Sequence, residues 1–226
     1  MASKPVLYGS LTSPTVNAVV IALRALDVDY ELRDVKPLKG ENLTEEYLNK
    51  NPTGTIPALE TEDHQFIGDS HAIISYVADR YAKEGADDSL YPRDFYKRAK
   101  VHQLQHFANS VMFATCVKPA FRPLFSRLTN KVPEETVKAI NEAFDMMQRF
   151  LNQNKWAAAD HVTIADFSCI TCIFALYYLK PFTAESHPRL MDWYQRMMDI
   201  PYVNETLYSD TMKGTLQFLD KYVIKA

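Results

Sequence analysis

Polar side chains stand at the start of two predicted helices in the first third of the chain. Ser13 precedes Pro14 and an apolar pattern of helical spacing, and Asp69-Ser70-His71 opens a second such pattern. In both places the simple interpretation is a helix cap, whose side-chain oxygen accepts a bond from a backbone N–H. A helix start also attracts anions, because unpaired N–H groups and the helix dipole face it. We therefore expect that the Ser13 hydroxyl can donate to a thiolate carried by a ligand and that Ser70 can receive a ligand carboxylate.

A proline-bounded loop, Asn51-Pro-Thr-Gly-Thr-Ile-Pro57, lies between these two helix starts. Bonds that precede proline adopt the cis form far more readily than other peptide bonds. A cis bond at Ile56–Pro57 would leave the backbone before it free to pair with a peptide-like ligand, and we state this isomer as a hypothesis.

Cys169 and Cys172 form a C-x-x-C motif. This spacing occurs in redox dithiols and in zinc sites. Here it lies inside an uninterrupted apolar helical pattern, and no second Cys or His pair follows at zinc-finger spacing. We predict that both thiols pack in the core and that the chain holds no metal.

Two further polar pairs favour structural roles. His102 and His106 are four residues apart on one predicted helix face, but no catalytic glutamate lies between them, so we expect ordinary helix histidines. Thr163 and Asp166 have the spacing of a capping box ahead of an apolar helix. We predict that this box starts the central helix of a second domain.

The first 84 residues alternate between strand and helix patterns. Val6-Leu7-Tyr8 is a short apolar run closed by Gly9, and apolar residues recur at helical spacing after Pro14. Further patterns predict strands at 29–35, 56–60 and 65–67 and helices at 43–51 and 70–81. The predicted order is βαβ, a short helix and then ββα.

The strand patterns disappear after a polar stretch at 85–92, which we interpret as a linker. Prolines punctuate the helical patterns that follow, and a first helical turn tolerates their missing N–H. The predicted helices cover residues 93–115, 119–128, 133–152, 163–179, 188–198 and 210–222. We therefore predict an α/β domain at 1–84 and an all-helical domain at 93–226.

Composition excludes several classes of protein. The six glycines are too far apart for a dinucleotide fingerprint or a P-loop. The 25 basic and 28 acidic residues are interspersed and give a net charge of −3, so neither nucleic acid nor a membrane is an expected partner. The longest uncharged apolar run, 167–179, is shorter than the roughly 20 residues that span a bilayer. An N-terminus without a signal or transit pattern and an odd number of cysteines favour a cytoplasmic protein.

Taken together, these segments resemble cytosolic glutathione transferases, most closely the insect delta and epsilon classes. The resemblance covers nearly the whole chain and rests on segments in the family's order: Ser13-Pro14, Asn51-Pro52 with Thr55-Ile56-Pro57-Ala58-Leu59, Asp69-Ser70-His71-Ala72-Ile73, Leu90-Tyr91-Pro92 and Thr163-Ile164-Ala165-Asp166-Phe167. It implies a thioredoxin-like N-terminal domain, an all-helical C-terminal domain, glutathione as co-substrate and a homodimer.

The resemblance also implies roles for individual residues. Ser13 would be the catalytic serine, whose hydroxyl stabilises the glutathione thiolate. Thr55 and Ile56 would pair with the cysteinyl backbone of glutathione, and Asp69 and Ser70 would hold its γ-glutamyl end. The implied activity is conjugation of the thiolate to hydrophobic electrophiles, such as xenobiotics, lipid peroxidation products and insecticides.

Three positions depart from the family's pattern. Asn17 stands where relatives usually have arginine, Gly54 where the loop often has histidine, and Asn42 where a second histidine is frequent near the glycyl end. We place Gly54 and Asn42 at the glutathione site on this ground and expect weaker glutathione affinity than in a histidine-bearing relative. Replacing Gly54 with histidine is then expected to lower the KM for glutathione.

An apolar cleft between the two domains is the expected place for the electrophile. Its candidate lining residues come from the first loop, the long helix of the second domain and the helix after it: Leu11, Phe113, Cys116, Val117, Phe121 and Phe125. Because no charged residue is among them, we expect hydrophobic, flat or halogenated electrophiles. Two other functions stay open at this point: a carrier of hydrophobic ligands in which Ser13 is only a helix cap, and a scaffold that keeps the dimer but has lost the co-substrate.

Overall fold

The computed structural model describes residues 4–83 and 88–224 of the 226-residue chain. The chain divides into two compact units, Met1–Ala86 and Asp87–Ala226. The predicted linker at 85–92 begins with residues 85–87, which lie outside the described residues. In its described remainder, the Asp88 carboxylate accepts a hydrogen bond from the Arg93 N–H at 2.7 Å.

Four strands form one mixed sheet in the described part of the first unit. They are β1 (Val6–Tyr8), β2 (Glu31–Arg33), β3 (Ala58–Glu60) and β4 (Phe66–Gly68). The spatial order is β2-β1-β3-β4, with β1 parallel to β2, and with β3 antiparallel to β1 and to β4. In this register Leu7 pairs with Leu32 on one side and with Leu59 on the other.

The helices of the first unit are α1 (Pro14–Ala25), α2 (Glu45–Leu48) and α3 (Ser70–Arg80). Successive side chains of a strand point to opposite faces, so Leu7 and Tyr8 lie on different sides of the sheet. Tyr8 joins a buried cluster that includes Tyr47 of α2. The buried faces of α1 and α3, which contact each other, contain the apolar residues whose helical spacing predicts these helices.

The predicted order of elements in this unit is confirmed, although several elements are shorter than predicted. The strand predicted at 29–35 covers only Glu31–Arg33. The third strand starts after Pro57, because proline has no N–H to contribute to a sheet. The helix predicted at 43–51 is confined to Glu45–Leu48 and follows two short 3-10 turns. The Ile56–Pro57 peptide bond is cis, as hypothesised.

Helices make up most of the described part of the second unit. They are α4 (Phe95–Phe107), α5 (Lys118–Phe125), α6 (Glu134–Gln153), α7 (Ile164–Leu179), α8 (Pro188–Met198), α9 (Pro201–Leu207) and α10 (Asp210–Tyr222). Each predicted helical region contains a helix. The short helix α9 is additional to the prediction, since its seven residues are too few for an apolar helical pattern to repeat.

A π-helical segment, Ala108–Val117, separates α4 from α5, where the sequence pattern predicts one continuous helix to residue 115. Pro119 follows directly and cannot donate the N–H that an uninterrupted α-helix requires. Within the segment, the Ser110 and Thr115 hydroxyls donate to the carbonyls four residues earlier, at 2.7 and 2.6 Å. The sequence prediction is wrong here because apolar spacing does not separate π turns from α turns.

The predicted capping box at the start of α7 is present and belongs to a larger buried network. The Asp166 carboxylate accepts hydrogen bonds from the Thr163 N–H at 2.9 Å, from the Ala157 N–H at 2.8 Å and from the Trp193 indole N–H at 2.8 Å. Asp166 and Trp193 are both fully buried. The network therefore ties α7, α8 and the loop before α7 together in the core.

Candidate functional site

Ser13 occupies the N-cap position of α1, as predicted, but its side chain does not cap the helix. Its backbone N–H donates to the Ser10 carbonyl at 2.9 Å, and its own carbonyl accepts the Asn17 N–H at 3.0 Å. Within residues 4–83 its hydroxyl makes no bond to the first N–H groups of α1. Instead the Ser13 hydroxyl lies 2.8 Å from the Thr15 hydroxyl. The half-buried Ser13 side chain is therefore held at the helix start by a side chain of α1 and does not cap the helix backbone.

Thr15 connects this helix start to the loop before β3. Its hydroxyl donates to the Ile56 carbonyl at 3.2 Å, across 41 residues of sequence. The Ile56 N–H has no hydrogen-bond partner among the residues that the structure describes. The Thr15 hydroxyl thus joins Ser13 to the Ile56 carbonyl, next to the unpaired Ile56 N–H.

Two buried side chains hold the loop at Thr55. The Tyr47 hydroxyl and the Asn51 amide both donate to the Thr55 carbonyl, each at 2.7 Å. Burial raises the pKa of Tyr47 to about 12, so this hydroxyl remains a donor at neutral pH. Thr55 itself is exposed and Ile56 is half-buried, so both remain accessible to a ligand.

Asp69 caps α3 in an uncommon backbone conformation. Its Oδ1 atom accepts hydrogen bonds from the His71 and Ala72 N–H groups at 2.8 and 3.3 Å. Its φ angle is +67°, in a region that residues other than glycine seldom adopt. Such conformations cluster at ligand sites, where the surrounding structure maintains them. Ser70 follows as a buried residue at the start of α3.

Asn42 and Gly54, the two residues placed at the glutathione site because they replace histidines, contact each other. The Asn42 amide donates to the Gly54 carbonyl at 2.6 Å, and Asn42 Oδ1 is buried without a partner among the described residues. Gly54 has a φ of +61°, and a Cβ atom there would lie 3.0 Å from Leu43 Cδ2. A histidine at position 54 would meet both an unfavourable backbone conformation and a close neighbour. The structure therefore argues against the expected gain from Gly54→His.

Asn17, which stands in place of the family's usual arginine, is fully buried. Its amide donates to the carbonyl of Leu11 at 3.1 Å, in the loop that leads to Ser13. Its Oδ1 atom has no partner in the described part of the chain. A hydrogen bond to the loop thus replaces the charge at this position, and Leu11 is half-buried.

The predicted electrophile residues of the second unit fall into two groups. Cys116 and Val117 are buried in the core, whereas Phe113, Phe121 and Phe125 are half-buried. The two groups differ because the π-helical segment and α5 present only part of their surface to solvent. Accessible apolar surface at these positions therefore comes from the phenylalanines.

Phe121 and Phe125 belong to an aromatic row that also contains Phe218 and Tyr222 of α10. Successive ring centroids are 5.8, 6.5 and 5.8 Å apart, and the ring planes differ by only 25°, 16° and 21°. The guanidinium of Arg127 lies 5.6 Å from the centroid of Phe218. The sequence predicts a pocket without charged residues, and Arg127 was not among its candidate lining residues.

The cysteine motif is buried, as predicted. Cys169 and Cys172 are free thiols, and burial raises the pKa of Cys169 well above its usual range and that of Cys172 to about 12. His102 shares a hydrogen bond with the Tyr91 hydroxyl at 2.8 Å. Across residues 4–83 and 88–224, no group of three or more His, Cys, Asp or Glu side chains is arranged to hold a metal ion.

No helix in the described ranges combines the length and the apolar character needed to cross a membrane.

Sequence reasoning missed three residues of these clusters: Thr15, Phe218 and Tyr222. The contact of Thr15 depends on Ile56, which is distant in sequence, so no local pattern could have indicated it. Phe218 and Tyr222 are an aromatic pair at i, i+4 spacing on a helix that is otherwise largely polar. That spacing places both rings on one face and could have identified them.

Comparison with known proteins agrees with this fold. The model of the glutathione S-transferase N-terminal domain matches residues 7–85, and that of the C-terminal domain matches residues 112–201. Glutathione S-transferase 1 of Manduca sexta is 33% identical over 192 residues, which cover 84% of this chain and 86% of that protein. An epsilon-class glutathione S-transferase from the housefly, Musca domestica, is 36% identical with a TM-score of 0.91, covering 99% of this chain and all of that one. A glutathione transferase homolog from Drosophila mojavensis, solved with bound glutathione, is 36% identical with a TM-score of 0.90, and 99% of each chain is covered.

The chain belongs to the glutathione S-transferase family. The predicted combination of an α/β thioredoxin-like N-terminal domain and a helical C-terminal domain is confirmed, as is the similarity to the insect classes. As a member of this family the protein is a transferase that uses glutathione as its co-substrate. The comparisons favour the enzyme over the carrier and scaffold alternatives.

Proposed function

We propose that Ser13 is the catalytic residue and that its hydroxyl donates a hydrogen bond to the thiolate of glutathione. The observation that carries this proposal is the position of the hydroxyl, which stands at the N-cap of α1 and, among the described residues, makes no bond to the backbone N–H groups of the helix. An N-cap serine ordinarily uses its side-chain oxygen to accept an N–H of the first turn. Here the helix backbone does not use the Ser13 hydroxyl, whose contact is with the Thr15 hydroxyl, so its proton can turn to a ligand beside the positive end of the helix dipole.

The free energies of the proposed interactions are large enough to lower the pKa of the glutathione thiol. Lowering a thiol pKa from about 8.5 to about 6.5 requires about 2.7 kcal/mol of preferential stabilisation of the thiolate. A hydrogen bond to a charged group supplies about 1.5–3 kcal/mol. A helix N-terminus adds about 0.3–1 kcal/mol. One hydroxyl and one helix end are therefore sufficient, and Ser13 need not ionise, because the nucleophile is the glutathione sulfur.

Glutathione would lie across the start of α1, the loop before β3 and the start of α3. The unpaired Ile56 N–H supports pairing with the cysteinyl backbone, next to the exposed Thr55. At the γ-glutamyl end, the Asp69 carboxylate suits the ligand's ammonium group, since Oδ2 is not used by the two cap bonds. Ser70 and the start of α3 suit the ligand's carboxylate.

The glycyl end of glutathione would meet the turn formed by Asn42 and Gly54. Because the Asn42 amide is already bonded to the Gly54 carbonyl, this turn offers no imidazole and few free donors. Affinity for glutathione would then be lower than in a relative with histidine at these positions.

The second substrate would be a hydrophobic, flat electrophile. Half-buried rings support this choice, because parallel aromatic planes favour stacking with flat apolar groups. We assign Leu11, Phe113 and the aromatic row to this substrate. Cys116 and Val117 are buried, so we do not expect them to touch it. Xenobiotics, insecticides and lipid peroxidation products share this chemistry, and their conjugation would be a detoxification step.

The enzyme would act as a cytoplasmic homodimer. Phe95 and Tyr96, at the start of α4, are 92% and 75% exposed, and exposed neighbouring aromatic side chains favour association. The three cysteines are free thiols, as is usual in a reducing compartment.

Steady-state turnover of a chloronitroaromatic electrophile by the wild type and by Ser13→Ala tests the proposed role of Ser13. We expect kcat/KM for glutathione at neutral pH to fall by about tenfold or more, the equivalent of losing one hydrogen bond to a charged group. Equal far-ultraviolet circular dichroism and equal melting temperatures would show that the variant remains folded. Equal activity of the two proteins would remove Ser13 from the mechanism.

A further inference from the structure

We propose that Thr15 is a positioning residue for the thiolate chemistry: when Ser13 donates its hydrogen bond to the glutathione sulfur, the neighbouring Thr15 hydroxyl turns to donate to Ser13 Oγ and holds the Ser13 hydroxyl in that direction. This inference rests on the role proposed above for Ser13. It adds a second hydroxyl group to the proposed catalytic site. This hydroxyl contacts Ser13 and is not expected to contact the sulfur.

The geometry is that of a hydroxyl bridge. Thr15 is the second residue of α1, and its Oγ1 atom lies 2.8 Å from Ser13 Oγ and 3.2 Å from the Ile56 carbonyl oxygen. Both Ser13 and Thr15 are half-buried, so water competes only partly for these bonds. The shorter of the two contacts is the one to Ser13.

Each of the two hydroxyl groups has one proton, and this limits the hydrogen bonds that Ser13 and Thr15 can make when a thiolate binds. Thr15 has one hydroxyl proton, and the Ile56 carbonyl can only accept, so while Thr15 donates to Ile56 it must be Ser13 that donates to Thr15. A thiolate is also only an acceptor, and it accepts a hydrogen bond through the single hydroxyl proton of Ser13, which stays on the serine. The contact between the two hydroxyls then persists as a hydrogen bond only if Thr15 turns its proton to Ser13.

In this second arrangement both O–H groups point toward the negative charge, from Thr15 to Ser13 and from Ser13 to sulfur. Hydrogen bonds in such a chain polarise one another and strengthen by about 10–30% each. The bond from Thr15 also restricts the rotation of the Ser13 side chain, which has no capping bond to the helix backbone. Both effects favour the charged form of the thiol and lower its pKa.

The matched variants Thr15→Val and Thr15→Ser test this role. Valine has nearly the shape of threonine but no hydroxyl, whereas serine keeps the hydroxyl. We expect Thr15→Val to raise the pKa of enzyme-bound glutathione by about 0.5 unit, measured from the ultraviolet absorbance of the thiolate. Below that pKa, kcat/KM would fall about threefold, and Thr15→Ser would restore the wild-type thiol pKa. A wild-type thiol pKa in Thr15→Val would overturn the proposal.

Binding of S-methylglutathione separates this role from a structural one. This thioether forms no thiolate, so calorimetry should give the same affinity for the wild type and Thr15→Val. If its affinity falls as much as kcat/KM does, Thr15 acts by holding the Ile56 loop and the proposal is wrong.

A double-mutant cycle then tests whether Thr15 works through Ser13. In the Ser13→Ala background, Thr15→Val should cause no further shift of the thiol pKa, and an additive shift would contradict the proposal. An unchanged pKa in Ser13→Ala would overturn the proposed function and this inference together. A shift in Ser13→Ala without any shift in Thr15→Val would overturn this inference alone.

Discussion

The Asn42 amide donates a hydrogen bond to the Gly54 carbonyl at 2.6 Å, which closes the turn ahead of the proposed glutathione loop. From the sequence, both residues are substitutes for histidine, and their main consequence is weaker binding. In the structure, Gly54 has a φ of +61°, and a Cβ atom added there would lie 3.0 Å from Leu43 Cδ2 and 3.3 Å from Leu48 Cδ2. Glycine is therefore a requirement of this turn as well as a departure from the family's pattern.

Gly54→His is accordingly predicted to destabilise the protein and not to lower the KM for glutathione. The left-handed conformation costs a residue with a Cβ atom roughly 1–2 kcal/mol, and the contact with Leu43 adds to that cost. Chemical denaturation and steady-state kinetics measure the two effects.

Gly40→Ala is the matched control for this prediction. Gly40 has a φ of +75°, but nothing lies within 4 Å of the position that its Cβ would take. Gly54→Ala should therefore lower the free energy of unfolding more than Gly40→Ala does. A clear fall in the glutathione KM of Gly54→His would support the simpler, sequence-based interpretation.

Trp193→Phe is predicted to destabilise the second unit through Asp166. The variant removes the indole N–H that lies 2.8 Å from the buried carboxylate, and burial already raises the pKa of Asp166. Hydrogen bonds to charged groups contribute about 1.5–3 kcal/mol, so we expect a loss of that order in the free energy of unfolding.

Trp156→Phe provides the comparison, since this half-buried ring packs against the Arg196 guanidinium at 4.5 Å. Trp156→Phe should lower the free energy of unfolding by less than Trp193→Phe does. Equal effects of the two substitutions would show that ring size, and not the bond to Asp166, determines stability.

The three cysteines are predicted to be unreactive in the folded protein. Cys116, Cys169 and Cys172 are buried, and burial raises the pKa of each thiol, so little thiolate is present at neutral pH. A disulfide reagent that reports free thiols should react slowly with the native protein and with all three cysteines after unfolding. Rapid modification of any of them in the native state would reopen a redox role for the C-x-x-C motif.

Phe125→Leu is predicted to raise the KM for a flat electrophile without changing the KM for glutathione. Phe125 stacks on both Phe121 and Phe218, and aromatic pairs contribute about 0.5–1.5 kcal/mol beyond their buried area, which corresponds to a two- to tenfold effect. Leu128→Ala, which alters a side chain that is 81% exposed shortly after α5, should leave both constants unchanged. If Phe125→Leu behaves like Leu128→Ala, the aromatic row does not bind the electrophile.

Local patterns were sufficient to predict most of the first unit. Pro14 after Ser13 identifies the start of α1, and the short apolar run Val6-Leu7-Tyr8 before Gly9 identifies β1, because these signals depend only on neighbouring residues. The π-helical segment was not predictable in this way, since the same apolar residues suit an α-helix. Thr15 could not be recognised as part of the site, because its partner Ile56 is brought to it only by folding.

The pKa of the glutathione thiol in the binary complex distinguishes a Ser13 that stabilises the thiolate from a Ser13 that only starts α1. It can be titrated through the absorbance of the thiolate in the wild type, in Ser13→Ala and in the control Thr12→Val. In the wild type the Thr12 hydroxyl donates to the Ser10 hydroxyl at 3.2 Å. We predict a pKa below the ordinary value of about 8.5 in the wild type and Thr12→Val, and a pKa about 1–2 units higher in Ser13→Ala. The same thiol pKa in all three proteins would show that Ser13 does not stabilise the thiolate.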